Sequence, residues 1–326
     1  MLLMGQREAD IEGADRDLLT GVLACDFRSI ARLITLVENG SPASPPLLGR
    51  LFGHTGRCFT VGVTGAPGAG KSTLVDILLW HYRKQGNRVG VLAVDPTSPF
   101  TGGAILGDRI RMQSRALDSG IFIRSMATRG HLGGLARATA DALLVLDAAG
   151  FDPVFVETVG VGQDEVEVVR TADVNLLLLV PGMGDEIQAM KAGIMEIADI
   201  FVINKADRPG AERLEMEIRA LAAVRGRLDG WIPEIVRTVA TEGSGLEACA
   251  AAIGRFREFS AASEFRRQRS VQLQRDRLLE IVRARALDEV MSRPGYCEAV
   301  DVLALRVAGR EIDPFSAAEQ LLRSFR

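Results

Sequence analysis

The sequence predicts an α/β fold: a doubly wound, mostly parallel sheet with helices on both faces, preceded by a helical segment and followed by a helical arm. Seven short apolar runs alternate with helical patterns between residues 57 and 259. The runs are nearly continuous in apolar residues, which is typical of parallel strands buried on both faces. A glycine-rich segment directly follows the first run, at the strand end where such folds bind ligands.

The predicted domains are an N-terminal helical segment over residues 1–56, a central domain over 57–259 and a C-terminal arm over 260–326. The 326 residues are 47% hydrophobic and 25% charged, with a net charge of −3, which is ordinary globular composition and does not call for nucleic acid. The acidic start lacks a secretory pattern and no apolar run is long enough for a bilayer, so we expect a cytoplasmic protein without a membrane partner. Four scattered cysteines fit a reducing compartment.

The N-terminal segment carries apolar residues at spacings of three and four, which predicts the apolar stripe of one helix. These residues are Leu19, Val22, Leu23, Phe27, Ile30, Ile34 and Val37. Asn39 and Gly40 supply a helix stop. The following SPASPP, at 41–46, is expected to exclude a helix and to form a stiff connection.

The central domain is predicted to contain seven strands, at 59–64, 88–95, 121–127, 153–160, 174–181, 199–207 and 234–240. Helical patterns lie between them, for example at 72–85 and 210–227. This order predicts that the carboxyl ends of the strands meet at one edge of the sheet and form the ligand site there.

The C-terminal arm begins with about 30 residues of helix-forming sequence, which would span roughly 45 Å. Its apolar positions are Leu278, Val282, Leu287, Val290 and Met291. A helix of this length can hardly bury that stripe alone, so we expect a partner helix. Eight arginines between 266 and 293 alternate with acidic residues, which favours a solvated, ion-paired face over nucleic-acid binding.

Residues 65–72, GAPGAGKS, match the phosphate-binding pattern G-x-x-x-x-G-K-S between a predicted strand and a predicted helix. The glycines allow consecutive backbone N–H groups to converge on phosphate oxygens, and the helix adds its positive end. We expect Lys71 to reach the β- and γ-phosphates and Ser72 to bind Mg²⁺. The predicted nucleotide-binding residues of this loop are Gly65, Ala66, Pro67, Gly68, Ala69, Gly70, Lys71, Ser72 and Thr73.

The sequence NKAD at 204–207 ends the sixth predicted strand and indicates guanine recognition. The Asp207 carboxylate can accept from guanine N1–H and from its 2-amino group, a pair of donors that adenine does not offer. Asn204 can bond N7, and the stem of Lys205 can cover the ring. Ala240 and Thr241, after the last strand, are further candidates for base contact. With the phosphate loop, this motif favours GTP or GDP over adenine nucleotides.

ETVG at 157–160 ends the fourth predicted strand, where a carboxylate that approaches Mg²⁺ belongs. Glu157 is expected to approach the metal directly or through water, and the Gly160 N–H can reach the γ-phosphate. Asp95 and Asp108 follow the second strand and are further candidates for the metal side, although a surface position for Asp108 explains the sequence equally well.

Val161 follows Gly160 at the place where small signalling GTPases have a glutamine that orients the attacking water. Valine cannot hydrogen-bond water, and Gln163 is the nearest substitute. The candidate catalytic residues are therefore Lys71, Glu157, Gly160 and Gln163. We predict slow intrinsic hydrolysis that a partner accelerates.

These residues, together with RSIARLITLVENG at 28–40, GDRIRM at 107–112, SMATRGHLGGL at 125–135 and DPFSAAEQLL at 313–322, carry a resemblance that covers nearly the whole chain. The sequence resembles the MeaB/ArgK-like G-protein chaperones of adenosylcobalamin-dependent methylmalonyl-CoA mutase. In that family Asp95, Asp108 and Glu157 match the acids on the Mg²⁺ side.

The resemblance implies a GTPase that forms a homodimer through the C-terminal arm, binds the mutase, gates adenosylcobalamin loading and protects the mutase from inactivation. This chain itself is not expected to bind cobalamin. Residues 182–193, GMGDEIQAMKAG, match a mobile switch of the family, in which Asp185 and Lys191 are the polar candidates for coupling to the partner. From chemistry alone the segment would be a loop and a helix start.

The sequence gives less support to two other functions. Similar sequences have been interpreted as kinases linked to arginine and ornithine transport, but we find no feature that supplies a phosphoacceptor site. A nickel-type metallochaperone GTPase normally needs a His/Cys cluster, whereas the three histidines and four cysteines here are scattered.

Overall fold

The computed structural model describes residues 13, 15–95, 118–127, 134–158, 171–182, 198–225 and 229–324. The chain forms two compact units, Met1–Ala262 and Ser263–Arg326. The N-terminal helices and the sheet belong to the first unit, and the C-terminal helices form the second.

The first unit is built on a seven-stranded sheet in which every neighbouring pair of described strands is parallel. The strands are β1 Thr60–Gly65, β2 Val89–Asp95, β3 Ile121–Ala127, β4 Val154–Thr158, β5 Val174–Leu179, β6 Ile200–Asn204 and β7 Glu234–Thr238. Their order across the sheet is β3-β2-β4-β1-β5-β6-β7, with β1 between β4 and β5. The predicted doubly wound parallel fold is confirmed.

Seven described α-helices accompany the sheet. They are α1 (residues 15–23), α2 Phe27–Glu38, α3 Ser44–Leu51, α4 Lys71–Lys84, α5 Gly134–Ala148, α6 Ala211–Arg225 and α7 Leu246–Ala262, with short 3₁₀ turns at Phe52–His54 and Ala240–Glu242. Within the part of the chain that the structure describes, no helix combines the length and apolar character needed to cross a bilayer.

Both faces of the sheet are buried, which explains the continuous apolar runs. On one face, Val61 and Val63 of β1 pack with Leu74 and Leu78 of α4 and with Phe256 of α7. Residues of β2 and β4 point to the opposite face and pack with the N-terminal helices and α5. A third cluster joins β5 and β6 to α6.

The N-terminal stripe belongs to two helices, so the expectation of a single helix is wrong. The chain leaves helical structure between residue 23 and Phe27, and the Asp26 carboxylate accepts the Ser29 backbone N–H at 2.9 Å. An aspartate that caps a new helix competes locally with continuation of the previous one. Both helices turn their apolar faces to the same core. The apolar residues therefore keep a helical spacing along the sequence although the helix ends and a new one begins.

The expected exclusion of helix from 41–46 is wrong for its last three residues. Helix α3 begins at Ser44 and contains Pro45 and Pro46 in its first turn. The first N–H groups of a helix have no intrahelical partner, so proline loses nothing there and its fixed φ suits the helix.

Aspartates at the amino edge of the sheet determine where β1 begins. The Asp152 carboxylate accepts the backbone N–H of Phe59 at 3.0 Å, and Asp173 accepts that of Thr60 at 2.8 Å. Both contacts lie at the end of β1 opposite the glycine-rich loop. They hold the strand in register and thereby set the position of that loop.

The second unit consists of α8 Glu264–Met291, α9 Tyr296–Ala308 and α10 Pro314–Ser324. The 28 residues of α8 correspond to about 42 Å and agree with the predicted long helix. Its apolar residues Leu278, Val282 and Leu287 are each more than half exposed within this chain. An apolar groove of about 390 Å³ lies between α9 and α10.

Candidate functional site

The glycine-rich loop connects the end of β1 with the start of α4. Gly65 is the last residue of β1 and Lys71 the first of α4. Gly68 and Gly70 adopt left-handed backbone conformations, with φ of 76° and 94°. Left-handed residues within a turn are typical of backbone loops whose N–H groups form an anion-binding concavity, and the positive end of α4 lies at the same place.

The two outer glycines of the loop are packed against neighbouring strands. A Cβ on Gly65 would lie less than 3.0 Å from the backbone oxygen of Leu178 in β5. A Cβ on Gly70 would lie equally close to the Asn204 side-chain nitrogen, whereas a Cβ on Gly68 would meet nothing within 4 Å. The outer glycines are therefore required by packing, and Gly68 by its backbone angle alone.

The Lys71 ammonium folds back over the loop. Although Lys71 is only 6% exposed, its Nζ donates to the backbone oxygens of Gly65 at 2.8 Å and Ala66 at 3.0 Å. A largely buried cation needs such compensation. The arrangement holds a positive charge beside the loop.

Side chains from outside the loop bind two of its carbonyl groups. Nδ2 of Asn204 donates to the Ala69 oxygen and Nζ of Lys205 to the Gly68 oxygen, both at 2.8 Å. The C=O and the following N–H of a peptide unit point in opposite directions, so the bond to the Ala69 carbonyl directs the Gly70 N–H away from Asn204. The Ala69 N–H donates within the loop to the Ala66 oxygen at 3.1 Å.

Ser72 and Glu157 meet where α4 begins and β4 ends. The Ser72 hydroxyl donates a short hydrogen bond to the Glu157 carboxylate, and Glu157 is buried. Strand β4 places Glu157 opposite Val63 of β1, one strand away from the loop. A hydroxyl oxygen and a carboxylate oxygen at one point form a donor set that suits a hard cation such as Mg²⁺.

Asn204 joins the loop to the last two strands. It is the final residue of β6 and is 2% exposed. Its Oδ1 accepts the Thr238 hydroxyl and the Ala240 backbone N–H, each at 3.1 Å, while Nδ2 binds Ala69. The predicted base motif and the phosphate loop are therefore one connected structure.

Of the other predicted base-site residues, Ala240 is buried, whereas Asp207 and Thr241 are exposed. Lys205 has a left-handed φ of 55°, and Asp207 follows it as an exposed residue. Thr241 is also exposed, in the 3₁₀ turn after β7. In the loop, Pro67 is exposed and Thr73 lies half-buried in the first turn of α4.

Several predicted residues belong to parts of the chain that the structure does not describe. Gly160, Gln163, Asp108, Asp185 and Lys191 lie outside the described residues. The backbone of Asp95 ends β2, beside β4, at the same edge of the sheet as Glu157, but its side chain is also outside the description.

Sequence reasoning missed the buried threonines around the site. Thr238 donates to Asn204, and Thr158 donates to the Thr64 hydroxyl at 3.2 Å between β4 and β1. The position of Thr238 could have indicated its role, because Thr238 ends β7 as Asn204 ends β6. The two residues are register partners.

The chain is similar in sequence to known proteins over most of its length. The family model described as methylmalonyl-CoA mutase-associated GTPase MeaB matches residues 30–295. A Pyrococcus abyssi protein named as a GTPase is 49% identical to this chain. The match covers 91% of this chain and 93% of that protein.

Two matches with lower identity also cover nearly all of this chain. A mouse protein named methylmalonic aciduria type A homolog, mitochondrial, is 36% identical over 95% of this chain and 79% of its own length. The crystal structure titled LAO/AO transport system kinase has a TM-score of 0.68 and 28% identity, covering 96% of this chain and 97% of that one.

Proposed function

Because the chain belongs to the family of methylmalonyl-CoA mutase-associated GTPases and is a GTP hydrolase, we propose that it serves as a chaperone of an adenosylcobalamin-dependent methylmalonyl-CoA mutase. In this role it gates adenosylcobalamin loading and protects the mutase from inactivation, without binding cobalamin itself. The supporting observation is the family match over residues 30–295, together with a relative named for methylmalonic aciduria.

The phosphate loop holds the GTP phosphates in this proposal. The amides of the loop and the Lys71 ammonium, already held beside the loop, face the β- and γ-phosphates. In hydrolysis, water attacks the γ-phosphorus, the bond to the bridging oxygen of GDP breaks, and GDP and phosphate leave. Lys71 stabilises the negative charge that grows on the phosphate oxygens in this step.

Lys71→Ala should therefore lower GTP turnover about 100-fold or more, measured as phosphate release at saturating GTP. Lys84→Ala, in the last turn of the same helix, is the matched control and should leave turnover unchanged. Normal turnover by the Lys71 variant would remove the phosphate-loop assignment.

Ser72 and Glu157 would hold Mg²⁺, with Asp95 and Asp108 as further acids on the same side. Their side chains suit this metal, because a hydroxyl and a buried carboxylate already meet at the start of α4. When bound, Mg²⁺ supplies positive charge that neutralises the phosphate oxygens.

Guanine is selected by the motif that begins at the last residue of β6. Asp207, on an exposed turn, accepts from N1–H and the 2-amino group, while Asn204 presents an amide N–H to N7 and Lys205 covers the ring. Ala240 and Thr241 complete this end of the site. Asp207→Asn should weaken GTP and favour xanthosine triphosphate, since an amide offers a donor to the extra carbonyl of xanthine. Unchanged guanine selectivity in competition binding would contradict this contact.

Hydrolysis by the isolated protein is slow in this proposal, because Val161 cannot orient water and Gln163 is the nearest substitute. Gly160, Asp185 and Lys191 belong to the segments that would respond to the γ-phosphate and to the partner. Adding the mutase should raise turnover. A turnover of tens per second by the isolated protein would contradict the proposal.

We further propose a homodimer through the C-terminal arm, residues 260–326. The apolar residues of α8 that are more than half exposed need a partner surface, and a second copy presents the same stripe. Leu278→Glu combined with Val282→Glu should yield monomers in light scattering. Gln272→Glu adds a carboxylate elsewhere on α8 and should leave the dimer intact. A monomeric wild-type protein would contradict this assembly.

The partner is tested by capture and by reconstitution. The protein immobilised with a non-hydrolysable GTP analogue should retain the mutase from a lysate of the source cells, and adding it should change the rate at which apo-mutase takes up adenosylcobalamin. Recovery of a transporter subunit and no mutase would instead favour the transport-linked kinase function.

A further inference from the structure

We propose that Thr238 is a positioning residue of the nucleotide site: its hydroxyl fixes the Asn204 carboxamide so that one amide N–H faces the phosphate loop and the other faces N7 of the purine. This inference rests on the proposed contact between Asn204 and the base. Thr238 lies outside both sequence motifs, and its role follows from strand pairing.

The two side chains are held together by the sheet. Asn204 and Thr238 end the adjacent parallel strands β6 and β7 and are direct register partners. They are 2% and 1% exposed, and the Thr238 Oγ1 donates to Asn204 Oδ1 at 3.1 Å. A hydrogen bond between two groups so fully buried does not compete with water.

The partners of the carboxamide determine which way it points. Its oxygen faces two donors, the Thr238 hydroxyl and the Ala240 backbone N–H, and its nitrogen faces one acceptor, the Ala69 carbonyl at 2.8 Å. A flipped amide would place N–H against N–H and oxygen against oxygen. The amide nitrogen therefore lies on the phosphate-loop side, where a Cβ on Gly70 would collide with it.

A carboxamide nitrogen carries two hydrogens, and the Ala69 carbonyl uses one of them. In the proposed site the second N–H is directed at the base, where N7 is the ring acceptor on that edge. Without Thr238 the amide keeps one hydrogen bond at each end, from the Ala240 N–H to Oδ1 and from Nδ2 to the Ala69 carbonyl, and it can still rotate about the line that joins them. Thr238 supplies the second anchor that keeps the N–H aimed at N7.

The test compares GDP with 7-deaza-GDP, in which a C–H replaces N7. Dissociation constants are measured by calorimetry for wild type, Thr238→Val, which has the same shape without the hydroxyl, and Thr238→Ser, which keeps the hydroxyl. Wild type should bind GDP about 5- to 10-fold more tightly than 7-deaza-GDP, the worth of one hydrogen bond to the base. Thr238→Val should reduce this ratio to about 2 or less, and Thr238→Ser should restore it.

The ratio separates positioning from folding, since a merely structural threonine would weaken both nucleotides equally. An unchanged ratio in Thr238→Val overturns the inference and leaves the proposed Asn204 contact standing. Equal binding of both nucleotides by wild type removes the Asn204 contact itself, and the inference with it. If Thr238→Val does not fold, Thr238→Ala removes the same hydroxyl without adding a methyl group, and the same ratio decides.

Discussion

Gly70 is the position where one added methyl group should disturb both halves of the nucleotide site. Its φ of 94° is left-handed, and a Cβ there would lie less than 3.0 Å from Nδ2 of Asn204, closer than real Cβ atoms approach other atoms. In Gly70→Ala the Asn204 side chain must move away. It then loses the hydrogen bond to the Ala69 carbonyl and strains those to Thr238 and Ala240.

The expected cost has two parts. A left-handed conformation costs a residue with a Cβ about 1–2 kcal/mol. Displacing a buried carboxamide from its partners costs about 1–3 kcal/mol more. Gly68→Ala is the matched control: its φ of 76° imposes the first cost, but its Cβ would meet nothing within 4 Å. The free energy of unfolding should therefore fall by about 2–5 kcal/mol for Gly70→Ala and about 1–2 kcal/mol for Gly68→Ala.

Urea unfolding of the nucleotide-free protein measures both values, with tryptophan fluorescence as the signal and linear extrapolation to water. Trp231 packs edge-to-face against Phe256 and at a tilt against Phe259 in the first unit, so its emission reports unfolding of that unit. Equal destabilisation by Gly70→Ala and Gly68→Ala would refute the packing argument. In an Asn204→Ala background, where the collision is absent, the two alanine variants should converge.

Two further predictions concern ionisable groups. Hydrogen bonding from the Gly120 backbone N–H lowers the pKa of Asp118, so its contribution to stability is present above about pH 4 and is lost as pH falls through the lowered value. Asp118→Asn should cost about 0.5–1 kcal/mol at pH 7 in urea unfolding, and the difference should shrink below pH 4; a gap independent of pH would contradict this. Burial raises the pKa of Cys249 to about 12, so iodoacetamide at pH 8 should label exposed Cys297 in the native protein and spare Cys249, as read by peptide mass spectrometry. Rapid labelling of Cys249 in the folded protein would contradict the conclusion that its thiol is buried.

Much of the fold could be predicted because its signals are local. A strand covered on both faces must be apolar along its whole length, and the seven predicted runs became the seven strands. The phosphate loop was recognisable because glycines at fixed spacing are needed wherever the backbone itself binds a ligand. Helix boundaries depend on single capping residues: Asp26 caps a new helix inside the predicted one, and α3 begins at Ser44 with two prolines in its first turn.

The sequence by itself determined the fold class, the phosphate loop, the base motif and the family resemblance, since each depends on residue types at short spacing. Only the tertiary structure decided which side chains meet around the site. Asn204 and Thr238 are 34 residues apart and come into contact because β6 and β7 pair in one particular register. Hydrophobic pattern predicts that a strand exists, but its neighbour and register follow from packing of the whole sheet. The contacts of Asn204 with Thr238, Ala240 and the phosphate loop are consequences of that packing.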